Sequence, residues 1–261
     1  MLRAILRNAG FDPRRLVSAW RGWRRYVRDR RSFRSAQGAG AWKWGRELPM
    51  LTEWEEQAGS LGAYFHQDLT VARWVREAEP QRHVDVGSRI DGFIGHLAVF
   101  REVEVLDIRP LNEAIPGVLF HQLDLMEPLP AEWVASTDSL SCLHTIEHFG
   151  LGRYGDAIDP TGHDQGLQAL KSMVRQGGRL YLSTPIGDER IEFNAHRVFA
   201  PSTVAGWFDT GWEIEKSAIL DERNRLEESV GAEALLGYSG KTGLGMVVAR
   251  KESGSLVGST S

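Results

Sequence analysis

The sequence predicts a Rossmann-like α/β domain, a mostly parallel seven-stranded sheet with helices on both faces, preceded by a basic amphipathic helix. Three observations predict it. Short apolar runs alternate with segments of helical periodicity, the pattern of parallel strands joined by helical crossovers. The first run that leads to a site, HVDV at 83–86, passes into a glycine turn and a helix, GSRIDGFIG at 87–95. The next run ends in Asp107, twenty residues beyond Gly87, the spacing at which an acidic residue reaches the ribose of an adenosine-containing cofactor in open α/β sheets.

From Pro13 onward Leu16, Trp20, Trp23 and Val27 recur at helical spacing, with Asp12 able to cap and Pro13 suited to the first turn. Arg14, Arg15, Arg21, Arg24, Arg25, Arg28, Arg30 and Arg31 fill the flanks. Residues 1–46 hold thirteen Lys or Arg against Asp12 and Asp29, about +11, so within the formal charge of -4 the remainder carries about -15. Such a helix, residues 13–34, either lies on an anionic membrane surface or packs its Leu/Trp stripe on the domain, and both readings stay open. The acidic remainder would repel nucleic acid, which is not expected as a partner. SAQGAGAWKWGRE at 35–47 reads as a flexible connector, and ESGSLVGSTS at 252–261 lacks periodicity. The expected division is therefore 1–47, basic helix and linker; 48–251, catalytic domain; 252–261, disordered tail.

Within the domain, YFHQ at 64–67 leads into Asp68, and Leu69, Ala72, Val75 and Ala78 mark a helix that ends near Pro80 and is expected to roof the cofactor. Strands follow at 83–86, 103–107, 119–123, 139–144 and 179–183, with helices at 92–100 and 164–176, the latter stopped by Gly177 and Gly178. Residues 212–219 and 245–250 form the final pair of strands. Hydrophobic residues at 42% and charged residues at 25% are ordinary globular values, and no apolar run approaches the roughly 18 to 20 residues that span a bilayer. The first residues lack the apolar stretch of a secretion signal, and the lone Cys142 allows no disulfide framework. The expected compartment is the cytoplasm, with membrane association through the basic helix as the alternative.

The glycine turn lacks the GxGxxG of dinucleotide sites. Arg89 and Ile90 crowd the approach of a pyrophosphate and Asp91 would repel it, so an adenosine cofactor without phosphate fits better. Asp107 would accept from its ribose hydroxyls, with Ile108 beside it; a sulfonium and amino group would be tolerated beside Asp85, and Gly87 and Ser88 are further cofactor-binding candidates. Asp124 would accept from the adenine amine, with Leu123 or Leu125 covering the ring. DVGS at 85–88, LDIR at 106–109 and QLDL at 122–125 together resemble class I S-adenosylmethionine-dependent methyltransferases, which implies S-adenosyl-L-methionine as cofactor.

After the fourth strand comes HTIEHFGLGRYGDAID, 144–159, at the sheet end that faces ligands. His148 is the first choice for a general base that takes the proton of an acceptor hydroxyl, with His144 second and Glu147 beside them. HTIEH also matches the zinc pattern H-x-x-E-H, which needs both histidines on one helix. Glu147, Asp156 and Asp159 offer oxygen ligands to a divalent cation. Arg153 and Tyr154, with Asn194, His196 and Arg197 in FNAHRVF at 193–199, are candidate substrate-binding residues; Asn194 and His196 would share one face of a short strand. The alternatives here are a tight surface loop with Arg153 paired to an aspartate, and an ordinary core histidine and arginine salt bridge.

YFHQD at 64–68, GSRIDGF, EHFGLGRYGD and FNAHRVF together resemble, over roughly residues 50–200, a narrower methyltransferase-like family catalogued as a domain of unknown function. Its bacterial relatives accompany surface-polysaccharide enzymes. The resemblance thus implies an O-methyltransferase acting on a sugar hydroxyl of a nucleotide-linked or lipid-linked glycan precursor. The rival readings are a nicotinamide-dependent sugar oxidoreductase and a non-catalytic, membrane-recruited module with the same fold.

Overall fold

The computed structural model describes residues 13–52 and 61–253; the expected Asp12 cap and the tail from residue 254 lie outside them. The chain divides into two compact units, Met1–Ser60 and Leu61–Ser261. In the first, helix α1 spans Pro13–Ser35. The segment read as a connector carries a short turn, Ala39–Ala41, and then runs back along α1. Gly22 is what permits that return, because a Cβ there would stand 1.8 Å from the Leu51 carbonyl oxygen. Glu47 holds the return by accepting from Tyr26 and Arg30 of the helix. Leu16, Val17, Trp20 and Trp23 are exposed. Among the described residues no helix is long and apolar enough to cross a membrane.

The second unit is a mixed α/β domain. Helix α2 (Ala63–Ala78) precedes β1 (His83–Val86), and β2 (Val103–Asp107), β3 (Val118–Gln122), β4 (Thr137–Leu143) and β5 (Val174–Gly187) follow, with α3 (Gly95–Ala98) and α4 (Gly162–Met173) between them. A hairpin of β6 (Arg190–Glu192) and β7 (His196–Val198), then α5 (Pro201–Gly206), β8 (Trp212–Leu220), β9 (Leu226–Val230), α6 (Glu233–Gly237) and β10 (Thr242–Lys251) complete it. The main sheet runs β3-β2-β1-β4-β5-β10-β8-β9. The pairs from β3 to β5 are parallel, and β10, β8 and β9 add antiparallel.

Alternation along the strands builds two apolar layers. Val84, Val86, Leu140, Cys142, Leu180 and Leu182 face Leu167, Leu170 and Met173 of α4. Val103, Val105, Leu143 and Tyr181 face Val71, Trp74 and Val75 of α2 and Phe93, Ile94 and Leu97 beyond the first turn. Fully burying one such side chain contributes on the order of 1.5–3 kcal/mol, so the sheet rather than any helix propensity holds the domain.

The structure differs from the sequence expectation at four places. The main sheet has eight strands rather than seven: β9 is a polar edge strand, LEESV, whose exposed residues give no apolar alternation to read. Helix α4 ends at Met173, and Gly177 and Gly178 lie inside β5, where the register steps from Thr137↔Val174 to Ser139↔Arg179 and the surplus residues bulge. The helix expected over 92–100 is regular only at Gly95–Ala98, since Gly92 lies at φ -126°, ψ -108°, closely packed on Asp68 of α2. Asn194 and His196 do not share a strand: Asn194 is in the turn of the β6–β7 hairpin.

A chain of buried polar groups crosses the layer under α2. Register places His83 beside Ser139 and Asp85 beside Ser141. His83 meets the Ser139 hydroxyl through Nδ1 at 2.7 Å and the Ser141 hydroxyl through Nε2 at 3.1 Å, and Ser141 donates to Asp85. Burial lowers the His83 pKa to about 3 and raises that of Asp85 to about 7, the latter against the donors from Ser141 and Ser88. Between pH 4 and 6.5 the unfolded chain holds one proton on His83 and none on Asp85, while the folded chain holds one on Asp85 and none on His83. The two effects on stability cancel. His83→Gln removes one of them, and the folded state then binds the extra proton. Relative to the wild type, its unfolding free energy should fall by about 1.4 kcal/mol per pH unit as pH rises from roughly 4 to 6.5. Urea denaturation at several pH values measures this, and parallel profiles for the two proteins would refute it.

Candidate active site

At the carboxyl ends of β1, β2 and β4 the structure opens a cavity of about 350 Å³. Its wall includes Gly87, Arg89, Asp107, Ile108, Arg109, Asp124, Leu125, His144, His148 and Tyr154, with Tyr64, Gln67 and Asp68 of α2 completing it. Gly87 turns the chain at φ +69°, where a Cβ would stand 2.4 Å from Thr145 Cγ2. Only glycine lets the backbone of β1 pass so close to the end of β4. Asp85 and Ser88 are buried behind the turn rather than on the wall. Asp85 Oδ2 accepts from the Ser88 amide at 3.0 Å and Oδ1 from its hydroxyl at 2.7 Å, so these two residues shape the turn.

Asp107 and Asp124 both reach the cavity. Asp107 is held by the Arg109 amide at 2.8 Å and by the Arg109 guanidinium, with Nη2 at 2.6 Å from Oδ2. Asp124 Oδ1 accepts from the Met126 amide at 2.8 Å. Leu106, Ile108, Leu123, Leu125, Met126 and Phe149 supply the apolar part of the wall.

Glu147 separates the two histidines chemically. It is fully buried and its carboxylate is hydrogen-bonded to His144 Nδ1. Burial lowers the His144 pKa, but the Glu147 charge and hydrogen bond and the more distant Asp68 outweigh it, and the net shift is upward. His144 therefore keeps its proton to higher pH than a free imidazole. His148 Nδ1 lies 2.7 Å from the Ala195 carbonyl, which can only accept, so Nδ1 carries the proton and Nε2 keeps its lone pair. Burial is the first cause of its lowered pKa, with Arg153 and His144 adding to it against Glu147 and the Ala195 bond.

The loop that carries these groups is braced from beneath. Arg197 is buried and donates to the carbonyls of Glu147, Phe149 and Pro160 instead of forming a salt bridge with a carboxylate. Asp156 accepts from the amides of Gly152 and Tyr154, and Asp159 from Thr161. With Glu147 bonded to His144, none of the three carboxylates is free for a cation, and among the described residues no group of three or more His, Cys, Asp or Glu is placed to hold a metal. The divalent cation considered from the sequence is thus not supported. The zinc pattern fails as well, because His144 follows a strand and only His148 lies on the short helical turn Ile146–His148. Among the described residues Arg153 pairs with no aspartate; it donates to the Ala195 carbonyl at 3.2 Å. His196 lies with its ring 6.5 Å from that of His148, next to Glu192.

With this geometry in hand, the family model described as "Caenorhabditis protein of unknown function, DUF268" matches residues 121–228, less than half of the chain. No curated protein matches the sequence. Among solved structures, the [4+2]-cyclase SpnF is similar over 76% of this chain and 86% of its own, at 15% identity and a TM-score of 0.52. The N-methyltransferase NodS from Bradyrhizobium japonicum WM9, in complex with S-adenosyl-l-homocysteine, is similar over 77% and 94%, at 13% identity and 0.48. The Burkholderia thailandensis 1,6-didemethyltoxoflavin-N1-methyltransferase is similar over 93% and 92%, at 14% identity and 0.47. The chain has a Rossmann-like mixed α/β fold, which the cyclase shares. Identities so low speak for the fold and not the reaction, as the cyclase among the three illustrates.

Tyr64, Gln67, Asp68, Arg109 and Thr145 line the site without having been singled out as site residues from the sequence. The expectation that the helix before β1 roofs the cavity was the signal for the first three. For Gly87→Ala the left-handed backbone alone costs about 1–2 kcal/mol, and the overlap with Thr145 adds to it. Chemical denaturation should show a loss at least that large, and Thr145→Ser, which removes the opposing methyl, should recover part of it in the double variant. Additive losses would mean that the two side chains do not compete for one space.

Proposed function

We propose that this protein is an S-adenosylmethionine-dependent O-methyltransferase acting on a sugar hydroxyl of a surface-glycan precursor. The observation that carries the reading is the hydrogen bond from His148 Nδ1 to the Ala195 carbonyl, which leaves a neutral imidazole with a free Nε2 at the wall of an adenosine-sized cavity. The donor set supports the cofactor. Asp107 and Asp124 are acceptors for ribose hydroxyls and an adenine amine, Ile108 and Leu125 flank a ring, and the tight turn at Gly87 leaves its backbone accessible. Arg89, paired with Asp91 at 2.7 Å, stands where a dinucleotide pyrophosphate would need open backbone.

When bound, the cofactor supplies an electrophilic methyl group on a sulfonium. With the cofactor in place, His148 Nε2 would take the proton of the acceptor hydroxyl as that oxygen is methylated. His144, bonded to Glu147, would stay out of that transfer and fix the edge of the site through its ring contact with Tyr64, centroids 5.0 Å apart. Because the His148 pKa lies below its ordinary 6.5, the ring is neutral at pH 7 and loses its base function only as pH falls through that lowered value.

Calorimetric titration of the purified chain with S-adenosylhomocysteine should show binding, and none at millimolar ligand would end the cofactor assignment. His148→Ala should keep that binding. Its release of S-adenosylhomocysteine from S-adenosylmethionine and a panel of nucleotide sugars should fall by roughly 100 to 10,000-fold, and the acidic limb below pH 6.5 should vanish from the residual rate. Unimpaired turnover would move the base elsewhere.

We propose in addition that α1 adsorbs to an anionic membrane surface, which would bring the enzyme to membrane-borne acceptors. The exposed Leu16, Val17, Trp20 and Trp23 among the arginines of α1 support this, each basic residue near such a surface adding on the order of 1 kcal/mol. The full chain should pellet with phosphatidylglycerol vesicles and much less with phosphatidylcholine vesicles, and Trp20→Glu with Trp23→Glu should abolish the difference. Equal pelleting with both lipids would count against it.

A further inference from the structure

Two arginines line the cavity, Arg89 and Arg109, and a third, Arg153, lies against the lining ring of Tyr154; the first two are neutralised. Arg89 is paired with Asp91 and Arg109 with Asp107. Arg153 has no carboxylate partner among the described residues. Its Nη1 donates to the Ala195 carbonyl, the same oxygen that accepts from His148 Nδ1. The guanidinium lies over the Tyr154 ring at 5.2 Å from the centroid, with Arg109 over the same ring at 4.7 Å and the His148 ring edge-on to it at 5.3 Å. Tyr154 is thus a hub that sets one uncompensated cation beside the base. A guanidinium fixed by a carbonyl and an aromatic face, with most of its N–H groups unspent, matches the bidentate recognition of a phosphoryl group.

We infer that Arg153 binds a phosphoryl oxygen of the acceptor, so that the substrate is a glycosyl phosphate or diphosphate whose sugar hydroxyl is thereby delivered to His148. This deepens the methyl-transfer reading and rests on it. The phosphoryl group stays intact; it anchors the acceptor on the rim while the reaction takes place one sugar away. The same anchor holds a second consequence. A bound anion offsets the positive field of Arg153 on the imidazole, so His148 becomes a stronger base when the acceptor is seated.

The test reads His148 itself, because the arginines of α1 would also attract polyanions and bulk heats would mix the two. In the full chain saturated with S-adenosylhomocysteine, the His148 imidazole resonance, assigned by its loss in His148→Gln, is followed against pH with and without inorganic pyrophosphate. The expected result is an upward shift of the His148 titration on adding pyrophosphate, with a dissociation constant weakened roughly tenfold or more in Arg153→Gln and partly restored in Arg153→Lys. No shift in the wild type, or the same shift and affinity in Arg153→Gln, overturns the proposal. Uridine diphosphate and farnesyl diphosphate, compared in the same titration, distinguish a nucleotide carrier from a prenyl carrier by which shifts His148 at lower concentration. Failure of S-adenosylhomocysteine to bind while pyrophosphate still acts through Arg153 would remove the methyl-transfer reading and leave the anion site standing.

Discussion

The cavity depends on one buried carboxylate. Asp85 sits at the centre of the parallel half of the sheet, where β1 is flanked by β2 and β4, and its oxygens accept from both the amide and the hydroxyl of Ser88 and from Ser141. Those bonds fold the chain back at Gly87, whose amide is itself held by the Leu106 carbonyl at 2.8 Å. The Ser88 hydroxyl meets the Leu143 amide at 3.3 Å, so the turn is tied to β4 as well. A carboxylate with no access to water is costly unless donors surround it, and here the donors are the residues whose positions define the site. Loss of these bonds would leave an orphaned buried group as well as a misplaced turn.

Glu147 is a second buried acid, and it works differently. It is hydrogen-bonded to His144 on one side and lies 3.9 Å from His148 Nε2, too far for a hydrogen bond. Two histidines four residues apart thus shift in opposite directions, His144 upward beside a carboxylate and His148 downward where burial dominates. The Ala195 carbonyl that fixes the His148 tautomer comes from the β6–β7 hairpin, about fifty residues later, so His148 and the hairpin are set by one contact.

Much of this was legible in the chain. HVDV and VEVLD stand in the structure at the residues the apolar runs mark, and Asp107, Asp124, His144 and His148 reach one cavity as strand-end positions must. What was not legible depends on contacts distant in sequence. Asp85 and Ser88 look like ligand residues in the motif DVGS, yet Ser141, visible only once β1 and β4 pair, draws the carboxylate inward. Arg197 reads as a substrate-binding residue or one half of a salt bridge, but it is buried away from the cavity wall and its partners are three backbone carbonyls that no side-chain pattern records. Strand β9 escapes for a simpler reason, being too polar to alternate.

The buried Arg197 explains why the densest run of ionisable residues can serve as a site at all. The segment from Glu147 to Pro160 turns repeatedly through left-handed glycines, Gly150 at φ 77°, Gly152 at 71° and Gly155 at 95°. Chain bent this sharply points carbonyls inward, and carbonyls without donors away from water are expensive. One guanidinium supplies several donors to them from a single position on β7, and Asp156 collects the amides of Gly152 and Tyr154 from the opposite side. The loop is therefore shaped by a permanent cation beneath it and a carboxylate within it, and these hold Tyr154 where its ring meets Arg109, Arg153 and His148. A neutral residue at 197 would satisfy fewer carbonyls, and the cost would fall on the loop that places Tyr154 against His148.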